Sequence, residues 1–182
     1  MAPLSDFQKK KILKLFTMLY DSNKDGVIEK QDFDIYLQRV SDVLQWSKGS
    51  EKYVNAQETL DIVWKGLVEY ADTNKDSKIT EEEWLRMWGD CLADIEKGQF
   101  PAWQKKYMDL MFDVNDKSGD DFIDCSEYTT FLTRFGVTEK ACGQAFQQIS
   151  GGKNITRDQF ASLWRGYLTS NDPKSAANYL LG

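Results

Sequence analysis

Oxygen-bearing side chains recur along this chain at a spacing that suits a hard cation. In the twelve-residue span Asp21 to Asp32, DSNKDGVIEKQD, the side chains of Asp21, Asn23 and Asp25 stand at positions 1, 3 and 5. A calcium ion takes roughly six to eight oxygens, so the chain must wrap tightly to deliver them. Gly26 at position 6 permits the positive φ of a sharp turn. Val27 at position 7 offers its backbone carbonyl, and Glu29 at position 9 acts through a water. Asp32 closes the loop at position 12, where the calcium pattern expects Glu. Aspartate is one methylene shorter, so this loop is expected to tend toward six ligands and to accept Mg2+ as well as Ca2+.

Two further loops carry the same chemistry. In Asp72 to Glu83, DTNKDSKITEEE, the ligands are Asp72, Asn74 and Asp76, the carbonyl of Lys78, and Glu83 as the bidentate closing group. Ser77 takes the place of Gly at position 6, at some cost in backbone strain. The third loop has two frames. Starting at Asp113 would put Asp120 at position 8, where an apolar residue belongs. Starting at Asp116, DKSGDDFIDCSE, gives Asp116, Ser118, Asp120, the Phe122 carbonyl and Glu127 as ligands, with Ile123 at position 8. The second frame is preferred, and Asp121 at position 6 tolerates positive φ better than most residues.

These loops need helices on both sides, and the periodicity supplies them. After the loops, apolar residues recur in phase as Phe33, Tyr36, Leu37, Val40, then Trp84, Met87, Trp88, Cys91, then Tyr128, Phe131, Leu132, Phe135. Before them run Leu13, Phe16, Thr17, Tyr20, then Trp64, Leu67, Val68, Ala71, then Met108, Met111, Phe112. A fourth set, Phe160, Leu163, Trp164, Tyr167, follows an entering stripe of Cys142, Ala145, Phe146, Ile149. The loop between them, SGGKNITRDQ, has ten residues and no acid before Asp158, and Gln159 occupies its closing place. Neutral groups do not offset calcium's lost hydration, so this loop is expected to be a structural partner of loop three, paired through Ile155. One Asx-rich turn is ordinarily a solvated loop; three in frame between phased helices are not.

The expected fold is therefore all-α: four EF-hand helix–loop–helix units in two pairs, with short paired strands between loops. Residues 1–97 form an N-terminal pair with both loops active, and residues 98–182 a C-terminal pair with loop three active and loop four degenerate. The hinge is KGQFPAW, Lys97 to Trp103, and a further turn is expected near Ser47 to Lys52. With no long solvated connecting helix, the pairs are expected to pack as one compact unit.

Composition narrows the function. Apolar residues make 41% and aromatics 13%, enough for a core and too much for disorder. The net charge of −6 resides largely in the loops and argues against nucleic acid as a partner. Cys91, Cys125 and Cys142 have no metal-type spacing and leave an odd thiol, which favours a reducing cytosol. No apolar signal core, lipidation motif or 18-residue apolar run is present, so a cytoplasmic location without a transmembrane segment is expected. The absence of histidine removes His-based general acid–base catalysis, and no Cys or Ser arrangement suggests another enzyme.

Several stretches carry a resemblance: LSDFQKKKIL, YDSNKDGVIE with DF after it, EEEWLRMW, KYMDLMFDVND followed by SGDDFID, GGKNITRDQFASLW, and TSND. Over Leu4 to about Asp172 the chain resembles the invertebrate sarcoplasmic calcium-binding proteins, and within that family the neuronal calexcitin group. The resemblance implies three calcium-binding hands and a degenerate fourth in a compact helical fold. It further implies a cytosolic calcium sensor in neuronal signalling, with an ion channel or calcium-release channel as target. GTP binding and kinase phosphorylation belong to the same group. Here, however, the phosphate-cradling GxxxxGK[ST] motif is absent around Gly152-Lys153, and Thr138-Glu139-Lys140 is a weak kinase site.

Three functions compete. The first is a sensor read by a target. The second is a calcium/magnesium buffer. The third, a coelenterazine photoprotein, is opposed by the lack of histidine. Five Met against six Trp favour a closed core over a Met-rich groove, which suits a buffer-like scaffold or a sensor that responds mainly by ordering; the family resemblance favours the sensor.

Overall fold

Capping decides where the helices begin. Ser5 Oγ accepts the Gln8 N–H at 3.1 Å while Gln8 Oε1 accepts the Ser5 N–H at 3.0 Å, which starts α1 (Asp6–Leu15). The same reciprocal box, Thr80 with Glu83 and Thr156 with Gln159, starts α4 (Glu81–Glu96) and α8 (Arg157–Thr169). The structure, a computed structural model, describes residues 4–182. Its remaining helices are α2 (Lys30–Leu44), α3 (Glu51–Ala71), α5 (Ala102–Asn115), α6 (Cys125–Thr133) and α7 (Glu139–Ser150). Four two-residue strands complete the framework: β1 (Val27–Ile28), β2 (Ile79–Thr80), β3 (Phe122–Ile123) and β4 (Ile155–Thr156). Antiparallel β1–β2 sets Ile28 opposite Ile79, and β3–β4 sets Ile123 opposite Ile155. The apolar slots of loops one and two therefore pair, as do those of loops three and four.

The chain forms two units, Met1–Leu110 and Met111–Gly182. The division falls inside α5 and not at the hinge near residue 97. The first turns of α5 belong to the first unit's core: Trp103 lies 6.1 Å from Trp88, and Tyr107 4.4 Å from Tyr20, ring centre to ring centre. Tyr107 donates its hydroxyl to the Leu19 carbonyl at 2.9 Å, and Tyr20 donates to Gln104 Oε1 at 3.2 Å. Trp84 ties this cluster together, edge-on to Phe16 and Trp88, with its Nε1 donating to the Ile12 carbonyl at 2.9 Å. Rings packed at such angles gain beyond their area burial. At the hinge, Gly98 with φ +84° ends α4, and the Pro101 carbonyl accepts from Lys105 N–H one residue ahead of α5.

One expected stripe is out of phase. Ile12, Leu15, Phe16, Leu19 and Tyr20 are buried ahead of loop one, whereas Thr17 is exposed and Leu13 half-buried. The cause is a wide π-helical turn over Phe16–Tyr20, closed by Asp21 N–H on the Phe16 carbonyl at 2.9 Å. A π turn spends an extra residue and rotates every later side chain. The exit stripes behave as expected through Phe33, Tyr36, Leu37 and Val40, and through Trp84, Met87 and Trp88. Cys91, Phe135 and Leu163, at the ends of the stripes or between their turns, are half-buried.

In the second unit Phe112 meets Phe160 edge-on, and Tyr128 packs on Phe146. The final residues also join this core. A short 3₁₀ turn, Ala176–Tyr179, is followed by buried Leu180 and Leu181. Tyr128 donates its hydroxyl to the Tyr179 carbonyl at 2.8 Å. Among the described residues no helix is long and apolar enough to cross a membrane. All three cysteines are free thiols.

Candidate metal centre

Loops one, two and three share one backbone pattern. The position-6 N–H reaches Oδ2 of position 1 in each: Gly26 to Asp21 at 3.0 Å, Ser77 to Asp72 at 3.0 Å, and Asp121 to Asp116 at 2.9 Å. The position-7 N–H reaches Oδ1 of position 5: Val27 to Asp25 at 3.1 Å, Lys78 to Asp76 at 2.9 Å, and Phe122 to Asp120 at 3.0 Å. Three loops of different sequence thus bend the same way around their first carboxylate. Side chains at positions 3 and 5 also meet, Asn23 with Asp25 at 2.8 Å and Asn74 with Asp76 at 3.0 Å, while Ser118 bonds Asp116 at 3.3 Å.

Left-handed backbone recurs at matching positions of the three loops. Position 6 has positive φ throughout: Gly26 at +89°, Ser77 at +60° and Asp121 at +65°. Only the frame starting at Asp116 gives loop three this match. Position 4 is left-handed too, at Lys24, Lys75 and Gly119, a feature that the ligand spacing did not announce. Asp113, which would open the rejected frame, instead accepts a hydrogen bond from Arg157 Nη2 at 2.7 Å. An L side chain in this region costs roughly 1–2 kcal/mol. Ser77→Gly should therefore raise stability in chelator by up to about 1 kcal/mol, after glycine's own entropic penalty. Asp121→Gly should gain less, since Asp tolerates the conformation. Urea unfolding of the two variants beside the parent chain measures both.

The closing carboxylates span the loops. Asp32 accepts from Asn23 N–H at 3.1 Å and from Glu29 N–H at 2.8 Å. Glu83 accepts from Thr73 N–H and Thr80 N–H, both at 3.0 Å, and from both threonine hydroxyls. Glu127 accepts from Ser118 N–H at 2.8 Å and Asp124 N–H at 3.1 Å. Position 12 is also the third residue of the exiting helix, so one carboxylate joins the loop's entrance to that helix's first turn.

Burial makes these carboxylates expensive. Asp21 is 4% exposed, Asp32 1% and Glu83 7%. Burial pushes the Asp32 carboxyl up, against the N–H groups of Glu29 and Asn23, and the charge of Asp21 adds to the rise. For Glu83 burial also pushes upward, but the N–H and hydroxyl groups of Thr80 and Thr73 outweigh it and hold the carboxyl at about 2. Buried negative charge calls for a counter-charge. Among the described residues no three acidic or cysteine side chains stand together as a finished cage. Their oxygens serve loop N–H groups, and each carboxylate offers about four lone-pair positions, so capacity for a cation remains. The oxygen-only donor set suits a hard divalent cation.

Loop four keeps the scaffold without the closing carboxylate. Gln159 Oε1 accepts from Thr156 N–H at 2.9 Å and so repeats half of the closing contact with a neutral amide. Gly151 and Gly152 carry its left-handed turn, and Ser150 Oγ turns back to the Phe146 carbonyl at 2.8 Å.

Comparison with known proteins follows the same lines. Sarcoplasmic calcium-binding proteins I, III and IV of Branchiostoma lanceolatum are 32% identical over 182 residues, covering 98% of each chain. Calexcitin-1 of Caenorhabditis elegans is 30% identical, over 97% of this chain and 86% of its own. The solved structure of an amphioxus sarcoplasmic calcium-binding protein superposes with a TM-score of 0.87 at 30% identity, covering 98% of both chains. No family model matches the chain.

Proposed function

The chain belongs to the sarcoplasmic calcium-binding protein family, and from that footing we propose that it is a cytosolic EF-hand calcium sensor with three calcium sites. Asp21, Asn23, Asp25, the Val27 carbonyl and Asp32 hold the first ion. Asp72, Asn74, Asp76, the Lys78 carbonyl and Glu83 hold the second. Asp116, Ser118, Asp120, the Phe122 carbonyl and Glu127 hold the third. Residues 1–97 and 98–182 act as the two functional pairs. The protein carries information by binding and catalyses nothing.

The observation that carries the sensor reading is the span of the closing carboxylate. Glu83 touches Thr73 at the loop entrance and Thr80 at the helix start. An ion that takes over those oxygens must act on both ends of the hand at once. A membrane-channel protein is the proposed class of target. A second reading, a calcium/magnesium buffer, is favoured by the placement of the methionines. Met87, Met108 and Met111 are buried, so they line the core. Retention on a hydrophobic resin separates the two readings. Calcium-dependent retention, released by chelator, supports the sensor; identical elution with and without calcium supports the buffer.

Magnesium should divide the sites. Asp32 is a methylene shorter than Glu83 and Glu127, so loop one should hold six ligands, the number that magnesium prefers. Asp32→Glu should raise calcium selectivity at loop one and leave loops two and three nearly unchanged. In a magnesium titration the Gly26 amide should shift before those of Ser77 and Asp121; the reverse order would contradict the argument.

A further inference from the structure

The fourth hand has no loop acid before Asp158, yet it delivers one cationic side chain to loop three. Arg157, the first residue of α8, donates through Nη2 to Asp113 Oδ1 at 2.7 Å. The same nitrogen lies 3.7 Å from Asp121 Oδ1. The guanidinium carbon sits 4.2 Å from the centre of the Phe112 ring, a cation–π contact that holds the group against the helix entering loop three. The β3–β4 register accounts for this reach. Phe122 faces Thr156, so one step further along the pair Asp121 faces Arg157. Cross-strand neighbours of opposite charge attract.

We propose that Arg157 sets the calcium affinity of loop three by placing a fixed positive charge at its edge. The proposal rests on the reading that loop three binds calcium. Asp113 and Asp121, the carboxylates that it meets at 2.7 and 3.7 Å, are not ligand positions in the frame starting at Asp116. Calcium therefore does not compete with the arginine for these two carboxylates, and the contacts persist in the bound state. What remains is repulsion between a guanidinium and a divalent ion, which weakens binding. As an exposed pair, with side-chain exposures of 42%, 56% and 85% for Arg157, Asp113 and Asp121, it adds little to stability. Its effect is on the potential that an arriving ion meets, and salt must screen it.

The test compares the full-length chain with Arg157→Gln and Arg157→Lys. Free calcium is set by a chelator buffer, and loop-three occupancy is read from the Gly119 and Asp121 amides, with Gly26 of loop one as internal reference. At ~0.01 M ionic strength, where the Debye length is about 30 Å, Arg157→Gln should bind calcium at loop three about three- to sixfold more tightly. Near 1 M salt, where that length is about 3 Å, the ratio should fall to about one. Arg157→Lys, which keeps the charge, should stay near the parent affinity, and loop one should not change in either variant. Unchanged or weaker binding in Arg157→Gln, or a change that salt does not reduce, overturns the proposal and leaves loop three as a calcium site. Parent-chain amides at Gly119 and Asp121 that ignore calcium would overturn the loop-three reading and this inference with it.

Discussion

Raising free calcium from chelator levels to millimolar should lift the melting temperature of this chain by tens of degrees. Asp21, Asp32 and Glu83 are buried carboxylates, and Asp116, Asp120, Asp121, Asp124 and Glu127 crowd a single loop. Without a cation the buried charge of Asp32 beside Asp21 and the crowded acids of loop three oppose folding, whereas Glu83 is held by its threonine hydrogen bonds. An ion that binds the folded chain alone stabilises it by about 4 kcal/mol at a thousandfold excess over its dissociation constant. EF-hands in this setting bind at roughly 10⁻⁸ to 10⁻⁵ M, so millimolar calcium gives that excess or more at a micromolar site. The three proposed sites together should contribute on the order of 10 kcal/mol, and each kcal/mol moves the midpoint by about 2–4 °C at this chain length. Trp84 and Trp88, fully buried and in edge contact just after loop two, supply a fluorescence signal for the transition. Calorimetric scans in chelator and in 1 mM calcium measure the shift. A midpoint that moves by less than about 5 °C would mean that the loops do not couple ion binding to folding.

The second large effect is local. Glu83→Gln should abolish calcium binding at loop two within the physiological range while leaving the fold intact. The chain itself supplies the precedent, because loop four closes with Gln159 and still forms its capping box and strand pair. A glutamine at 83 can accept from Thr80 N–H as Gln159 accepts from Thr156, so α4 keeps its start. What is lost is the charged bidentate ligand that the proposed site assigns to Glu83. That loss should exceed the roughly 10–100-fold that removal of an outer-shell partner costs at a metal site. Far-ultraviolet circular dichroism in saturating calcium should match the parent, while loop-two amides, Ser77 among them, should stop responding to calcium. Glu127→Gln should do the same to loop three. A Glu83→Gln chain that binds calcium at loop two within tenfold of the parent would remove Glu83 from the ligand set.

Much of this was legible in the residues because the EF-hand loop imposes two constraints at once. Ligand oxygens must alternate along twelve positions, and the flanking apolar residues must fall in phase with that count. The apolar slot at position 8 pointed to the pairing of loop four with loop three through Ile155, which lies opposite Ile123, and the equivalent slots Ile28 and Ile79 pair in the same way. The failures have equally local causes. A π turn inside FTMLY carries no composition signal, so the stripe before loop one was assigned to Leu13 and Thr17 in place of Ile12, Leu15 and Leu19. Lys24 and Lys75 adopt left-handed backbone because the loop demands it, and lysine does not advertise that conformation. The terminal AANYLLG is too short for periodicity to register, yet Leu180 and Leu181 are core residues. The joining of the start of α5 to the first unit's core was equally hidden, because Trp103, Gln104 and Tyr107 find their partners among Tyr20, Leu19 and Trp88, contacts distant in sequence.

Stoichiometry tests the central claim most directly. Native mass spectrometry of the full chain across a calcium titration should saturate at three ions, and the Glu83→Gln chain should saturate at two. Saturation of the parent at four ions would give SGGKNITRDQ a binding capacity that a loop with one acid and a glutamine at its closing place should not have, and saturation at two or fewer would strike one of the three acidic loops from the account.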